Sequence, residues 1–139
     1  MLESRLRIQS KNEDKPDLSV QNLLSCNFYC EGCEGGDSSL VAKFVSEFDI
    51  YPESCYEYTA TDGACENLCD TSKVKERYSV SDWYYIGGHY GSSTEAEMMK
   101  ELRARGPFVV SIEPPQDIFV YESGIYETIY DDELNADPT

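Results

Sequence analysis

Residues 19–36 read Ser19-Val20-Gln21-Asn22-Leu23-Leu24-Ser25-Cys26-Asn27-Phe28-Tyr29-Cys30-Glu31-Gly32-Cys33-Glu34-Gly35-Gly36, a helix start running into a glycine-rich loop. The Ser19 hydroxyl is placed to cap the free N–H groups of a first helical turn, and Leu18 and Leu23 bracket it as a hydrophobic staple. That predicts a helix ending near Cys26. The three glycines after it permit positive φ and let another backbone approach closely, so Cys30 to Gly36 is predicted to be a tight loop. Helical periodicity resumes at once, with Leu40, Val41, Phe44, Val45 and Phe48 on one face.

Outward from this centre the chain changes character. Towards the N-terminus, Leu2 and Leu6 share a helical face, and Glu3 precedes Arg7 by one turn, a spacing that predicts an ion pair. A charged loop from Lys11 to Lys15 and then Pro16 separate that helix from Ser19. Towards the C-terminus, Tyr51 to Asp70 is irregular and cysteine-rich. Val80 to Tyr90 is aromatic and reads as a strand ending in a turn. Thr94 and Glu97 form a capping box for another helix, which Gly106-Pro107 terminates. Phe108 to Ile112 is β-branched and strand-like, stopped by Pro114-Pro115. Ile118 to Tyr121 and Gly124 to Ile129 read as further strand or turn, and the acidic stretch from Asp131 to Thr139 as a loose tail. The prediction is an α+β fold in one domain: residues 1–75 mostly helical, about 76–130 β-rich, and 131–139 a tail.

The 139 residues carry 27 acidic and 11 basic side chains, a formal charge of −16. Such a surface repels phosphate backbones and anionic lipid, which argues against nucleic-acid and membrane partners. No run is long and apolar enough to span a bilayer, and Met1 to Arg5 lacks the apolar core of a signal peptide. If the protein is secreted or vesicular, its targeting segment is expected outside this sequence. The six cysteines all fall between Cys26 and Cys69. Clustered in a loop-rich acidic segment, they favour an oxidising compartment, although the count alone fixes no pairing.

Ser19-Val20-Gln21-Asn22-Leu23-Leu24-Ser25-Cys26 followed by Gly32-Cys33-Glu34-Gly35-Gly36 resembles the S-x-Q-x-L-x-x-C and G-C-x-G-G motifs of papain-like cysteine peptidases. Tyr56-Glu57-Tyr58-Thr59, Gly106-Pro107-Phe108-Val109-Val110 and Gly124-Ile125-Tyr126 recur in that family's order. Leu2-Glu3-Ser4-Arg5-Leu6-Arg7-Ile8 and Tyr85-Ile86-Gly87-Gly88-His89-Tyr90-Gly91 resemble its dipeptidyl peptidase I (cathepsin C) branch. The resemblance implies a partial papain-like fold, comprising the helical half and part of the β-rich half. The implied chemistry is removal of N-terminal dipeptides by a thiol nucleophile.

By the same resemblance none of the catalytic residues lies in this chain. The nucleophile would open the helix that continues into Leu2–Ile8, and the histidine and asparagine would lie past Thr139. A thiolate–imidazolium pair requires both partners in contact, so the chain alone is expected to be inactive. A companion chain carrying them is the implied partner, with a peptide or protein substrate for the complete enzyme. The implied location is a lysosome, a vacuole or the secretory space.

The resemblance pairs Cys26 with Cys65 and Cys55 with Cys69. Cys33 would meet a cysteine just before the nucleophile, and Cys30 has no counterpart. Three arrangements are open to this pair: both free, bonded to each other, or facing a second chain. Gly35 and Gly36 would line the substrate cleft, their backbone pairing with an extended peptide that any Cβ would displace. Asp37, Ser39 and Ser111 would border the pocket for the second substrate residue, more polar here than in that branch, while Asp37 or Ser38 also suits a helix N-cap. No cofactor is implied. The branch binds chloride near two tyrosines. Tyr85 matches one and Ser39 replaces the other, and the carboxylate of Asp37 opposes an anion. His89, the only histidine, falls in the aromatic turn and reads as structural or exposed.

Two other classes fit fewer of these features. One is a catalytically inactive papain-derived binding or structural protein. The other is a four-cysteine zinc module built from Cys30, Cys33, Cys65 and Cys69, against which the disulfide pairing implied by the resemblance weighs.

Overall fold

The computed structural model describes residues 1–66 and 76–127. Four α-helices run in order: α1 (Leu2–Gln9), α2 (Val20–Cys26), α3 (Ser38–Phe48) and α4 (Glu95–Arg105). Each begins or ends where local chemistry requires. Ser19 Oγ accepts from Asn22 N at 2.9 Å to start α2. Asp37 caps α3. Thr94 and Glu97 complete a reciprocal capping box on α4, which closes on Gly106 at φ +87°. Asp49, with φ +62°, ends α3 and turns the chain into Ile50.

The chain divides into two compact units, Met1–Val109 and Val110–Thr139. The core of the first is Leu18, Phe44, Val45 and Ile50, with Leu2, Leu6, Leu23, Val41 and Tyr78 packed around them. Each such aliphatic or aromatic side chain contributes roughly 1.5–3 kcal/mol when fully buried. Val45 and Phe44 are the buried face of α3, whereas Leu40 and Phe48, predicted on the same face, are 36% and 49% exposed. Phe48 instead stacks on Phe44 at 5.3 Å and meets Phe28 edge-on at 5.3 Å.

Polar side chains fasten the irregular region to the helices. Ser19 Oγ donates to Tyr56 O at 2.6 Å, and Ser19 N to Tyr51 O at 2.9 Å. Gln21, only 4% exposed, donates to Ser25 Oγ and Thr61 O at 2.9 Å each and accepts from Thr59 N at 3.0 Å. Burying such an amide is tolerable because its bonds are made. Cys26 is bridged to Cys65, as the resemblance implies. Cys55 is also disulfide-bonded, and Cys69, its expected partner, lies outside the described residues. Cys30 and Cys33 are free. With Cys65 committed to a disulfide, the four-thiolate zinc set cannot assemble.

Two expectations need correction. Glu3 does not pair with Arg7; its Oε1 accepts instead from Leu18 N at 2.9 Å, an otherwise unpaired donor at the entry to α2. The β-rich part shows no strand among the described residues. Ladder-like contacts among them are limited to the isolated bridges Leu18–Pro52 and Ile50–Tyr78. Val80 to Tyr90 and Phe108 to Ile112 have the residues of strands but no partner strand among the described residues, and a strand is defined by its ladder. In the second unit, Gln116–Val120 is a 3-10 turn set off by Pro115, the turn alternative of the strand-or-turn reading of Ile118 to Tyr121. Within that unit Tyr126 donates to Asp117 Oδ1 at 2.7 Å, and its ring meets Tyr121 edge-on. The end of the Gly124–Ile129 reading and the Asp131–Thr139 tail lie outside the described residues.

Candidate functional site

The loop between α2 and α3 is organised from Asn27, which is 3% exposed. Its Oδ1 accepts from Tyr29 N at 3.0 Å, and its Nδ2 donates to Cys30 Sγ at 3.3 Å. Cys30 N donates back to Asn27 O at 3.1 Å. A 3-10 turn over Gly32–Glu34 follows, held from outside by Asp62, whose Oδ1 accepts from Cys33 N at 2.8 Å. Gly35 closes the loop at φ +124°, ψ −165°, a conformation essentially confined to glycine. Its carbonyl accepts from Glu31 N at 2.9 Å.

Gly36 comes next, exposed and stretched across Cys30. An ideal Cβ on Gly36 would sit 2.6 Å from Cys30 Sγ and 2.8 Å from Cys30 Cβ. Among the described residues the N–H and C=O of Gly36 have no hydrogen-bond partner. An open groove of about 240 Å³ lies here. Val20, Leu23 and Leu24 of α2 and Val41 of α3 supply its apolar lining, while Gly35, Gly36 and Asp37 supply the backbone and charged side. Unpaired backbone beside apolar lining is what an extended peptide needs to dock.

The remaining candidate residues separate into those at this groove and those elsewhere. Asp37 and Ser39 are joined: Asp37 Oδ1 accepts from Ser39 N at 2.7 Å and also from Ser39 Oγ. Those hydrogen bonds hold the Asp37 carboxyl below its usual range, so it stays ionised at the groove edge. Ser39 is thereby occupied with capping. Ser111 belongs to the second unit, where it is exposed and outside any helix. Tyr85 is 38% exposed and does not line the groove; its ring packs edge-on against Trp83 at 6.2 Å and Tyr90 at 5.8 Å. His89 is exposed, and its backbone, not its imidazole, is engaged, accepting from Ser92 Oγ at 2.6 Å.

Two features of the site were not visible in the sequence. Cys30, without a role in the pattern, is the floor beneath Gly36. Asp62, distant along the chain, braces the turn that precedes the glycine pair. Asp62 also affects Cys33: desolvation first, then the Asp62 and Glu34 carboxylates, push that thiol above its ordinary value. A thiol so disposed is a poor nucleophile at neutral pH.

The family described as papain family cysteine protease matches residues 1–137. Cathepsin C of Schistosoma mansoni is 38% identical over 140 residues, covering 99% of this chain and 30% of that protein. Dipeptidyl aminopeptidase 1 of Plasmodium falciparum is 27% identical, covering 83% of this chain and 24% of that protein. The chain thus spans less than a third of these relatives. Among solved structures, digestive procathepsin L 3 of Tenebrio molitor larval midgut superposes with a TM-score of 0.59 at 26% identity, over 74% of this chain and 31% of that one. This chain belongs to the papain family of cysteine proteases and is related within it to cathepsin C.

Proposed function

We propose that this chain builds one wall of the substrate cleft of a thiol peptidase that removes N-terminal dipeptides. The observation that carries the reading is Gly36: exposed, without hydrogen-bond partners among the described residues, and bordering a groove with apolar lining. A substrate in extended form pairs its backbone with Gly36, and its side chain enters the groove towards Asp37. The ionised Asp37 carboxylate favours a basic or polar substrate side chain and disfavours a chloride ion. The nucleophilic thiolate, the imidazole that activates it and the asparagine that orients the imidazole come from outside residues 1–139. The thiolate attacks the peptide carbonyl, the C–N bond breaks as the imidazolium protonates the departing amine, and water then hydrolyses the thioester to free the dipeptide and restore the thiol. Cys30 and Cys33 take no part in that step.

The compartment follows from the same reading. The Cys26–Cys65 bridge and the −16 charge suit an oxidising, acidic vesicle or the secreted space. The test is steady-state cleavage of fluorogenic dipeptide substrates by the natively purified protein, for wild type and Gly36→Val. Cleavage that falls by roughly tenfold or more in the variant, with the fold kept, supports the reading. Undetectable cleavage by wild type, with retained binding of extended peptides, points to a papain-derived binding protein instead.

A further inference from the structure

Away from the groove, one carboxylate gathers three parts of the first unit. Glu101 of α4 is 7% exposed. Its Oε1 accepts from Arg5 Nη2 of α1 at 3.0 Å and from the Tyr84 hydroxyl at 2.8 Å. Its Oε2 accepts from Arg105 Nη1 at 2.7 Å. Arg5 also donates through Nε to Pro107 O at 2.8 Å, so one guanidinium grips both the carboxylate and the chain leaving α4. Arg105 lies over the Tyr84 ring at 5.7 Å. A buried charge is stable only when paired and hydrogen-bonded, and here every facing group is a donor, two of them cations.

We propose that Arg5, Glu101, Arg105 and Tyr84 form a proton-resistant strap that keeps α1 fastened to α4 and to the aromatic segment in an acidic compartment. Protonating Glu101 would leave Arg5 and Arg105 facing one another with no anion between them, an arrangement of like charges in a partly dry site. Desolvation opposes ionisation of Glu101, but the hydrogen bonds from Tyr84, Arg105 and Arg5 outweigh it and hold the carboxyl below its usual range. The strap stays closed on acidification. The acidic setting rests on the proposed function; the strap itself does not depend on the protein's being a peptidase.

The test measures unfolding midpoints and amide hydrogen exchange of the natively purified protein at about pH 7 and about pH 5, for wild type, Glu101→Gln and Arg5→Lys. Glutamine keeps the shape but not the charge. Lysine keeps the charge but has one nitrogen, which cannot serve Glu101 and Pro107 together. The strap predicts that Glu101→Gln lowers the midpoint by roughly 4 °C or more at both pH values. It also predicts that α1 amides exchange on the order of tenfold faster in both variants, while wild-type α1 protection is the same at the two pH values. If Glu101→Gln does not fold, Arg5→Lys carries the exchange comparison. Wild-type α1 losing its protection on acidification would overturn the proposal, as would unchanged exchange in the variants. Peptide cleavage is not read in this experiment, so its failure is distinct from failure of the cleft assignment.

Discussion

Cys30 Sγ occupies the space that a side chain on Gly36 would need, with the ideal Cβ only 2.6 Å away. The contact links the loop's packing to its exposed edge, because the residue that must remain glycine is the one offering free backbone. Gly36→Ala is expected to cost about 1–3 kcal/mol by overpacking. Adding Cys30→Ala recovers only part, since Cys30 Cβ itself lies 2.8 Å from the new atom. A double-mutant cycle in denaturant measures this coupling. Strict additivity would show that the two residues do not touch.

The Cys26–Cys65 bridge joins residues 39 apart in sequence, closing a loop between α2 and the irregular region. Chain-entropy reasoning assigns such a loop about 4 kcal/mol at most, and replacing both cysteines by alanine should cost ~2–4 kcal/mol. Denaturant unfolding of the double variant checks this. The loop 57–66 should also lose protection, leaving Gln21 to hold it through Thr59 and Thr61.

Asp37 makes a pH-dependent contribution with a defined sign. Its folded carboxyl is held below the unfolded value by the Ser39 hydrogen bonds, so the stability it adds is present above the unfolded value of about 3.9 and is lost as pH falls through the lower folded one. Asp37→Ala should therefore lower the melting temperature at pH ~7, and the gap to wild type should close under strongly acidic conditions. Asp37→Asn, which still caps α3 but carries no charge, should lose less than Asp37→Ala and show none of this pH dependence.

Thr94→Ala removes one arm of the capping box on α4 and should cost about 1 kcal/mol. The loss should appear as faster exchange in the first turn of α4, read by mass spectrometry. Glu97→Gln should preserve most of the box, because glutamine also reaches back to the N-cap N–H.

Helices were legible where the local code is complete. Ser19, Thr94 with Glu97, and Gly106 marked helix ends that tertiary packing did not alter. Strands were not, because β-branched residues such as Val109, Val110 and Ile112 state a preference that only a partner strand can realise. The Glu3–Arg7 spacing misled for a related reason: a buried backbone donor at Leu18 outcompeted an exposed ion pair of small worth. At the groove, the glycine run by itself implied only a tight loop, and it was the family resemblance that pointed to Gly35 and Gly36. The roles of Cys30, Asp62 and Glu101 depend on contacts between distant segments, which leave no periodic trace.

The most direct measurement labels the natively purified protein with a thiol-reactive dipeptide epoxide and follows amide exchange across residues 27–41. Cleft-wall assignment predicts stoichiometric labelling outside this chain's six cysteines, together with slowed exchange at Gly36 and its neighbours. Labelling without any change at Gly36, or labelling at Cys30 or Cys33, would contradict it.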